Sequence, residues 1–219
     1  MTMTRTEATR IPELMSDDRA RLDALLAETI VGHVAFVNDD GSPAVLPSAV
    51  VRQGDSIVIH GSTGSHWMRR IAEGVPAVVS ITAIDGIVVA RSAFESSLIY
   101  RSAVLFGSFR IVEGREKLAA LDALTDRLIP GRVGEVRRPT KRELAATLIL
   151  SMRIGEWSLR VSDYWSEDPP SDIAGEAWAG QVRYGQRPTT VVEAPDLRIG
   201  IPVPASVTTL QVPPRPRDL

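Results

Sequence analysis

The stretch VGHVAFVNDDGSPAVLPSAVVR (31–52) decides the fold class. Two apolar runs, 31–37 and 43–52, flank the turn NDDGS (38–42), and Asp40–Gly41 inside it is a hairpin signal. Gln53–Gly54–Asp55 makes the next turn, and SIVIHG (56–61) reads as a third strand. A parallel pair needs a crossover of about a dozen residues or more. These turns, and another read at 84–86, are too short for that. The expectation is an antiparallel, mainly β barrel with α-helices at its periphery, an α+β fold.

Working outward, residues 16–30 read as a helix, with Ser16 as N-cap, Asp17 and Asp18 in the first turn, and Leu22, Leu25, Leu26 and Ile30 as the apolar stripe. After the third strand, STGS (62–65) leads into a short helix, 66–74, which Gly74 stops. Strands are expected at 77–83 and 86–93, split by a turn at Asp85–Gly86, and at 102–112. Residues 114–128 read as a helix with Leu118, Leu121, Leu124 and Leu128 spaced for burial, and Pro130–Gly131 breaks it. Thr140–Glu143 has capping-box spacing, opening a second helix followed by an apolar run to Met152. Further strands are read at 156–163, 180–185 and 189–193, and SEDPPSD (166–172) as a polar loop. The domain spans 14–185, with an N-terminal arm at 1–13 and an extended, proline-rich arm at 186–219. No internal repeat is visible.

The 219 residues are 44% hydrophobic and 24% charged, which suits a globular protein with a sizeable core. A net charge of -2 gives no bulk attraction to nucleic acid or an anionic membrane. No apolar run reaches the roughly 18 residues of a membrane helix. The chain has no cysteine, which excludes disulfides, thiolate nucleophiles and cysteine-based metal sites and fits a cytoplasmic protein.

Chemistry concentrates in HGSTGSHWMRR (60–70). A strand ends in a small-residue loop that opens a helix. Gly61 and Gly64 allow close approach and unusual dihedrals. Ser62, Thr63 and Ser65 offer hydroxyls, the helix start offers N–H groups, and His66, Arg69 and Arg70 add donors. Together these suit a terminal phosphate, while a capped turn with solvated arginines is the structural alternative. The segment lacks the GK[ST] of a P-loop and is not GxGxxG. The three histidines, His33, His60 and His66, have no metal-site spacing and no carboxylate cluster beside them. There is no GxSxG elbow. The acidic pairs Asp39–Asp40 and Glu167–Asp168 lie in turns, where solvation accounts for them. Arg101 and Ser102 enter an apolar strand and need partners, either structural groups or a cofactor. Trp157, Trp165 and Trp178 suit a core or interface, or the wall of a flat ring.

Four blocks, VGHVAFV (31–37), HGSTGSHWMRRI (60–71), GIVVARSAFESSLIYRSAVLFG (86–107) and AWAG (177–180), resemble in order and spacing the pyridoxamine 5'-phosphate oxidase-like superfamily with the FMN-binding split barrel, in its flavin-nucleotide-binding and nitroimidazole-resistance-type branch. The likeness covers about residues 14–182. It implies a homodimer with FMN at the subunit interface. Val45, Leu46, Pro47 and Ser48 would line the isoalloxazine through strand backbone. His60, Gly61 and Ser62 would run beside the ribityl chain and phosphate, and Ser65 and His66 would hold the phosphate with Arg69 or Arg70 assisting. Arg101 and Ser102 match the strand start that touches flavin, and Trp178 would reach the neighbouring subunit's flavin. His60 matches a histidine with a catalytic role in nitroimidazole-resistance relatives.

Two departures stand out. His66 replaces the family's usual fixed cation, and a neutral imidazole attracts phosphate less. The late motif that holds pyridoxamine phosphate is missing, which counts against vitamin B6 oxidation. The resemblance therefore implies an FMN-dependent oxidoreductase for a small flat acceptor, nitroaromatic or quinone-like. The alternatives are a non-catalytic FMN store or redox sensor, or a split barrel using deazaflavin F420 or haem.

Overall fold

The computed structural model describes residues 5–8, 10–128, 131–134, 136–184 and 190–203. They form two units. The first contains residues up to 82 together with 102–160, and the second 83–101 together with those from 161 on.

In the first unit the N-terminal segment is pinned to the body, not free. Arg5 forms an ion pair with Glu156 and lays its guanidinium 4.5 Å from the centre of the Phe106 ring. A 3-10 turn at Pro12–Leu14 leads to the two-residue strand β1 (Met15–Ser16). Helix α1 (Arg19–Glu28) starts later than expected: Asp18, not Ser16, is its N-cap, accepting from the Ala20 N–H at 2.8 Å. Ser16 is held in β1, with its hydroxyl accepting from the Asp18 N–H. Leu22, Leu25 and Leu26 are the buried face of α1.

The hairpin forms as expected. β2 (Val31–Val37) and β3 (Pro43–Ala49) pair antiparallel, Val31 opposite Ala49 and Val37 opposite Pro43. Gly41 takes φ 81° in the turn, a conformation that suits glycine. The expected long strand 43–52 divides: β4 (Val51–Gln53) leaves β3's sheet and pairs with β5 (Ser56–Ser62). β5 pairs in turn with β9 (Thr147–Arg153). Between them in sequence lie α2 (His66–Ala72), the long strands β6 (Pro76–Val89) and β7 (Ser97–Ser108), the short β8 (Arg110–Ile111), α3 (Gly114–Leu128) and α4 (Lys141–Ala146). β8 joins β9 on its other edge, giving the order β4-β5-β9-β8. Strand β10 (Glu156–Ser162) pairs with β1.

Helix α3 buries Ala120 and Leu124 against Val51, Val58, Val112 and Ile149. Leu118 and Leu121 are half-buried and Leu128 is exposed, so the expected leucine stripe is only partly used. The second helix is much shorter than its apolar run suggests, because the chain turns into β9 at Thr147, where it can fill the sheet beside β5. Lys117 closes the end of α4, donating to the carbonyls of Leu144 (2.7 Å) and Thr147 (2.6 Å).

The start of α4 is the capping box read from sequence. Glu143 receives the Thr140 N–H at 2.8 Å and Arg137 at 2.6 Å, and these bonds hold its carboxyl well below the usual range, at about 2. A carboxylate whose folded pKa lies below its unfolded one stabilises the fold above the unfolded value, and that contribution fades as pH falls through the folded one. Thermal midpoints of wild type and Glu143→Gln, measured from about pH 6 down to about pH 2.5, should differ at the upper end and converge at the lower.

In the second unit, the far half of β6 pairs with β11 (Gly180–Arg183), Gly86 opposite Arg183 and Val89 opposite Gly180, and β11 pairs with β12 (Thr190–Glu193). The expected turn at Asp85–Gly86 is absent, because β6 runs unbroken for 14 residues. Gly86 serves close packing instead: a Cβ there would lie 2.3 Å from the Val182 carbonyl oxygen. The polar loop after β10 contains a short helix, α5 (Pro170–Ile173). Trp178 and Val182 form a small core with Val89, Val191, Leu197 and Ile201. Over 190–203 the expected C-terminal arm is therefore built into this unit, while 186–189 and 204–219 lie outside the described residues. No helix among the described residues is long and apolar enough to cross a membrane.

Candidate functional site

Helix α2 is seated by three contacts. Met68 and Ile71 are fully buried, and Trp67 stacks on Phe36 of β2 with ring centres 6.5 Å apart. Gly61 permits this seating, since a Cβ there would lie 2.9 Å from Met68 Cγ. Neither Gly61 nor Gly64 has positive φ, so close packing, not unusual backbone, accounts for Gly61. The loop before the helix is a tight turn. Ser62 Oγ accepts from the Gly64 N–H at 3.1 Å, the Ser62 carbonyl accepts from the Ser65 N–H at 3.0 Å, and Thr63 donates its N–H to Ala146 O at 3.0 Å.

This arrangement sorts the expected phosphate ligands. Ser65 stands at the N-cap but makes no side-chain bond to its own helix, unlike Asp18 and Thr140. His60, Ser62, His66 and Arg69 are exposed. Arg70 is turned elsewhere. It donates to the Val37 carbonyl (3.2 Å) and pairs with Asp39 (2.8 Å) and Glu73 (2.7 Å), tying α2 to the β2–β3 turn. That leaves Arg69 as the arginine open beside His66. With only seven residues α2 carries a short dipole, so hydroxyls and cations must do most of any anion binding.

Beside this segment, β3 contacts β5 and, among the described residues, pairs on one edge only, with β2. Val45, Leu46, Pro47 and Ser48 alternate in burial, with Val45 and Pro47 exposed and Leu46 and Ser48 half-buried. Their side chains point to opposite faces, so what they offer jointly is the free backbone edge. The outer face of the hairpin is apolar: Val31, Ala35, Val37, Pro43, Val45 and Pro47 share it, interrupted only by His33 opposite Pro47. Val45 is 62% exposed and Val37 51%. Ser102 is half-buried in β7.

The second unit holds the other two expected ligands, each engaged internally. Arg101 grips Asp85 through two bonds of 2.7 and 2.6 Å. Trp178 is 6% exposed, its ring lying against Gly180, and its indole N–H is buried with no acceptor among the described residues.

The same unit contains a constellation that sequence reading missed. Asp168, taken for a solvated turn residue, has a fully buried side chain. It accepts from the Arg91 N–H (3.1 Å), the Arg91 guanidinium (2.9 Å) and the Ser166 hydroxyl (3.0 Å). Arg91 is equally buried and also reaches Asp196. Nothing in SEDPPSD marks its first Asp, Asp168, as special, since the partner lies 77 residues away. Arg183 pairs with Asp163, which raises its pKa, and donates to the buried Gln181. Among the described residues no group of three His, Asp or Glu side chains could hold a metal ion.

Comparison with known proteins agrees with this fold. Residues 18–161 match the sequence profile of the pyridoxamine 5'-phosphate oxidase family. The FAD and haem binding protein from Mycobacterium smegmatis is 50% identical, covering 90% of this chain and 97% of its own, with a TM-score of 0.75. The flavocytochrome Anf3 from Azotobacter vinelandii is 27% identical over 94% of this chain and 96% of its own, with a TM-score of 0.77. A protein from Bacteroides thetaiotaomicron assigned to the 5-nitroimidazole antibiotic resistance type, 14% identical over 67% of this chain and 86% of its own, shares the fold with a TM-score of 0.56. Among curated proteins no sequence matches. With antiparallel sheets, peripheral helices and a matching profile over most of its length, the chain belongs to the pyridoxamine 5'-phosphate oxidase-like family of split barrels.

Proposed function

We propose that the chain binds a flavin nucleotide and works as an oxidoreductase on a small flat acceptor. The observation that carries the reading is the 50% identity, along nearly the whole chain, to a protein described as binding FAD and haem. The residues present fit such a ligand. Ser62, Ser65, His66 and Arg69 offer hydroxyls and positive charge for a phosphate, and Ser65 Oγ is not spent on its helix. The free edge of β3 at 45–48 offers backbone donors and acceptors for the polar rim of the ring. A bound flavin supplies hydride and single-electron chemistry, and the chain supplies binding and orientation. His60, exposed at the end of β5, is the candidate proton donor. A yellow protein that neither pyridine nucleotides nor dithiols reduce would instead be a store or sensor.

The charge at the phosphate loop is directly testable. Arg69→Ala with His66→Ala should weaken flavin binding by about ten-fold or more, roughly 1.4 kcal/mol, in a fluorescence titration. Arg70→Ala should lower thermal stability, with a smaller effect on affinity.

A homodimer belongs to the same reading. The apolar outer face of the β2–β3 hairpin is the kind of patch that a second copy covers. Sedimentation should give a dimer at micromolar concentration, and Val45→Asp should shift it towards monomer. Haem is the second reading, supported by the two full-length neighbours described as a haem binding protein and a flavocytochrome. Without cysteine, a histidine is the natural axial ligand. A Soret band in the purified protein checks it.

A further inference from the structure

We propose that the groove between α3 and α4 docks an acidic amphipathic helix of another protein. This surface is independent of the flavin reading. It begins with the leucine stripe of α3, of which the core uses only part. Gly114, Lys117, Leu118 and Leu121 share one face of that helix, spaced i, i+3, i+4 and i+7. Ala120 and Leu124 are buried in the core, whereas Leu118 and Leu121 are only half-buried. Two open hollows border them, of about 440 and 500 Å³, and Leu144 of α4 lines both. Gly114, Leu118 and Ala145 line the first, and Leu121, Val136 and Pro139 the second. Together they follow α3 from Glu113 to Leu121, roughly 12 Å, or about two turns of a docked helix.

The groove is preformed. The segment 136–139 that walls one end is tied at two points, Arg138 to Asp122 of α3 at 2.8 Å and Arg137 to Glu143 of α4 at 2.6 Å. Lys117 joins the two helices from below through the carbonyls of Leu144 and Thr147. A surface already rigid loses little freedom when a partner arrives.

Charge selects the occupant. RRPTKR (137–142) puts four cations in six residues, in a chain of net charge -2. The acids around the groove are largely spent: Glu116 on Arg110, Asp122 on Arg138 and Glu143 on Arg137. Arg115, Lys141 and Arg142 are exposed and form no ion pair among the described residues, against the single carboxylate of Glu113. The rim is therefore positive and the floor apolar, which suits leucines flanked by Glu or Asp. The chain's own last residues, 204–219, carry Arg215 and Arg217 against Asp218 and do not complement that rim. A second copy offers little better, because the acidic stretch 167–172 uses Asp168 internally.

The test is fluorescence anisotropy of the full chain with a labelled synthetic helix of about three turns, leucines at i, i+3, i+4 and i+7 and glutamates between them. Two twins serve as probes as well, one with lysine for every glutamate and one with serine for every leucine. The acidic leucine peptide should bind about ten-fold or more tightly than either twin, and weaken as salt rises. Lys141→Glu with Arg142→Glu should abolish the preference for acid over lysine. Both side chains are exposed and carboxylates suit the first turn of α4, so the fold should hold. Val136→Ser, at a side chain 42% exposed, should weaken the acidic peptide through the floor alone. No binding of the acidic peptide, equal binding of the twins, or a preference that survives the charge reversal would overturn the proposal. So would a dimer in sedimentation that the charge reversal dissociates, which would put a second copy there. Tighter binding by a synthetic peptide of residues 204–219 would overturn it too, in favour of the chain's own tail.

Discussion

Arg91→Met should destabilise the protein by about 3–5 kcal/mol, among the largest effects expected of any single substitution in the chain. The side chains of Arg91 and Asp168 are 2% and 1% exposed, so neither charge is screened by water. Removing the guanidinium leaves a buried carboxylate with only the Arg91 N–H and the Ser166 hydroxyl as donors. It also releases Asp196 and its carbonyl, which bring the segment after β12 against the rest of the unit. Urea unfolding followed by tryptophan fluorescence measures the loss. The double substitution Arg91→Met with Asp168→Leu should recover a large part of it, because no unpaired charge is then left in the interior. A single mutant within about 1 kcal/mol of wild type would mean that the pair is not buried as described.

Gly86→Ala should cost about 3 kcal/mol, the upper part of the range for overpacking. Its Cβ would meet backbone, with Val182 O at 2.3 Å and Arg183 Cα at 3.0 Å, and backbone cannot rotate away. The pairing of β6 with β11 must open near that point, loosening the polar cluster of Asp85, Arg101, Arg183 and Asp163 next to it. Hydrogen exchange should show faster exchange over 180–183 and 86–89, with the β2–β3 hairpin unchanged. By contrast, Gly61→Ala should cost less, because the atom it meets is on the flexible side chain of Met68.

Local chemistry was legible in the sequence and distant partnership was not. The β2–β3 turn and the Thr140 capping box each rest on residues within a few positions of one another, and both form as read. Gly86 misled because Asp-Gly signals a turn locally, whereas its real constraint is a strand almost a hundred residues away. The same reason hid Asp168, whose acidic loop says nothing of Arg91. In the candidate site, the helical period puts both Arg69 and Arg70 on the side of α2 away from Met68 and Ile71. What separates them is the β2–β3 turn, whose Val37 carbonyl and Asp39 carboxylate engage Arg70. The domain boundary blurred likewise, since Leu197 and Ile201 show their packing on Trp178 only in three dimensions.

The most direct test of the central claim is the absorption spectrum of the protein as purified, followed by mass identification of the nucleotide it releases on denaturation. The account predicts flavin absorption in the blue, lost to solution on unfolding, with a flavin nucleotide as the released species. A colourless protein that stays colourless after incubation with FAD or FMN would contradict it.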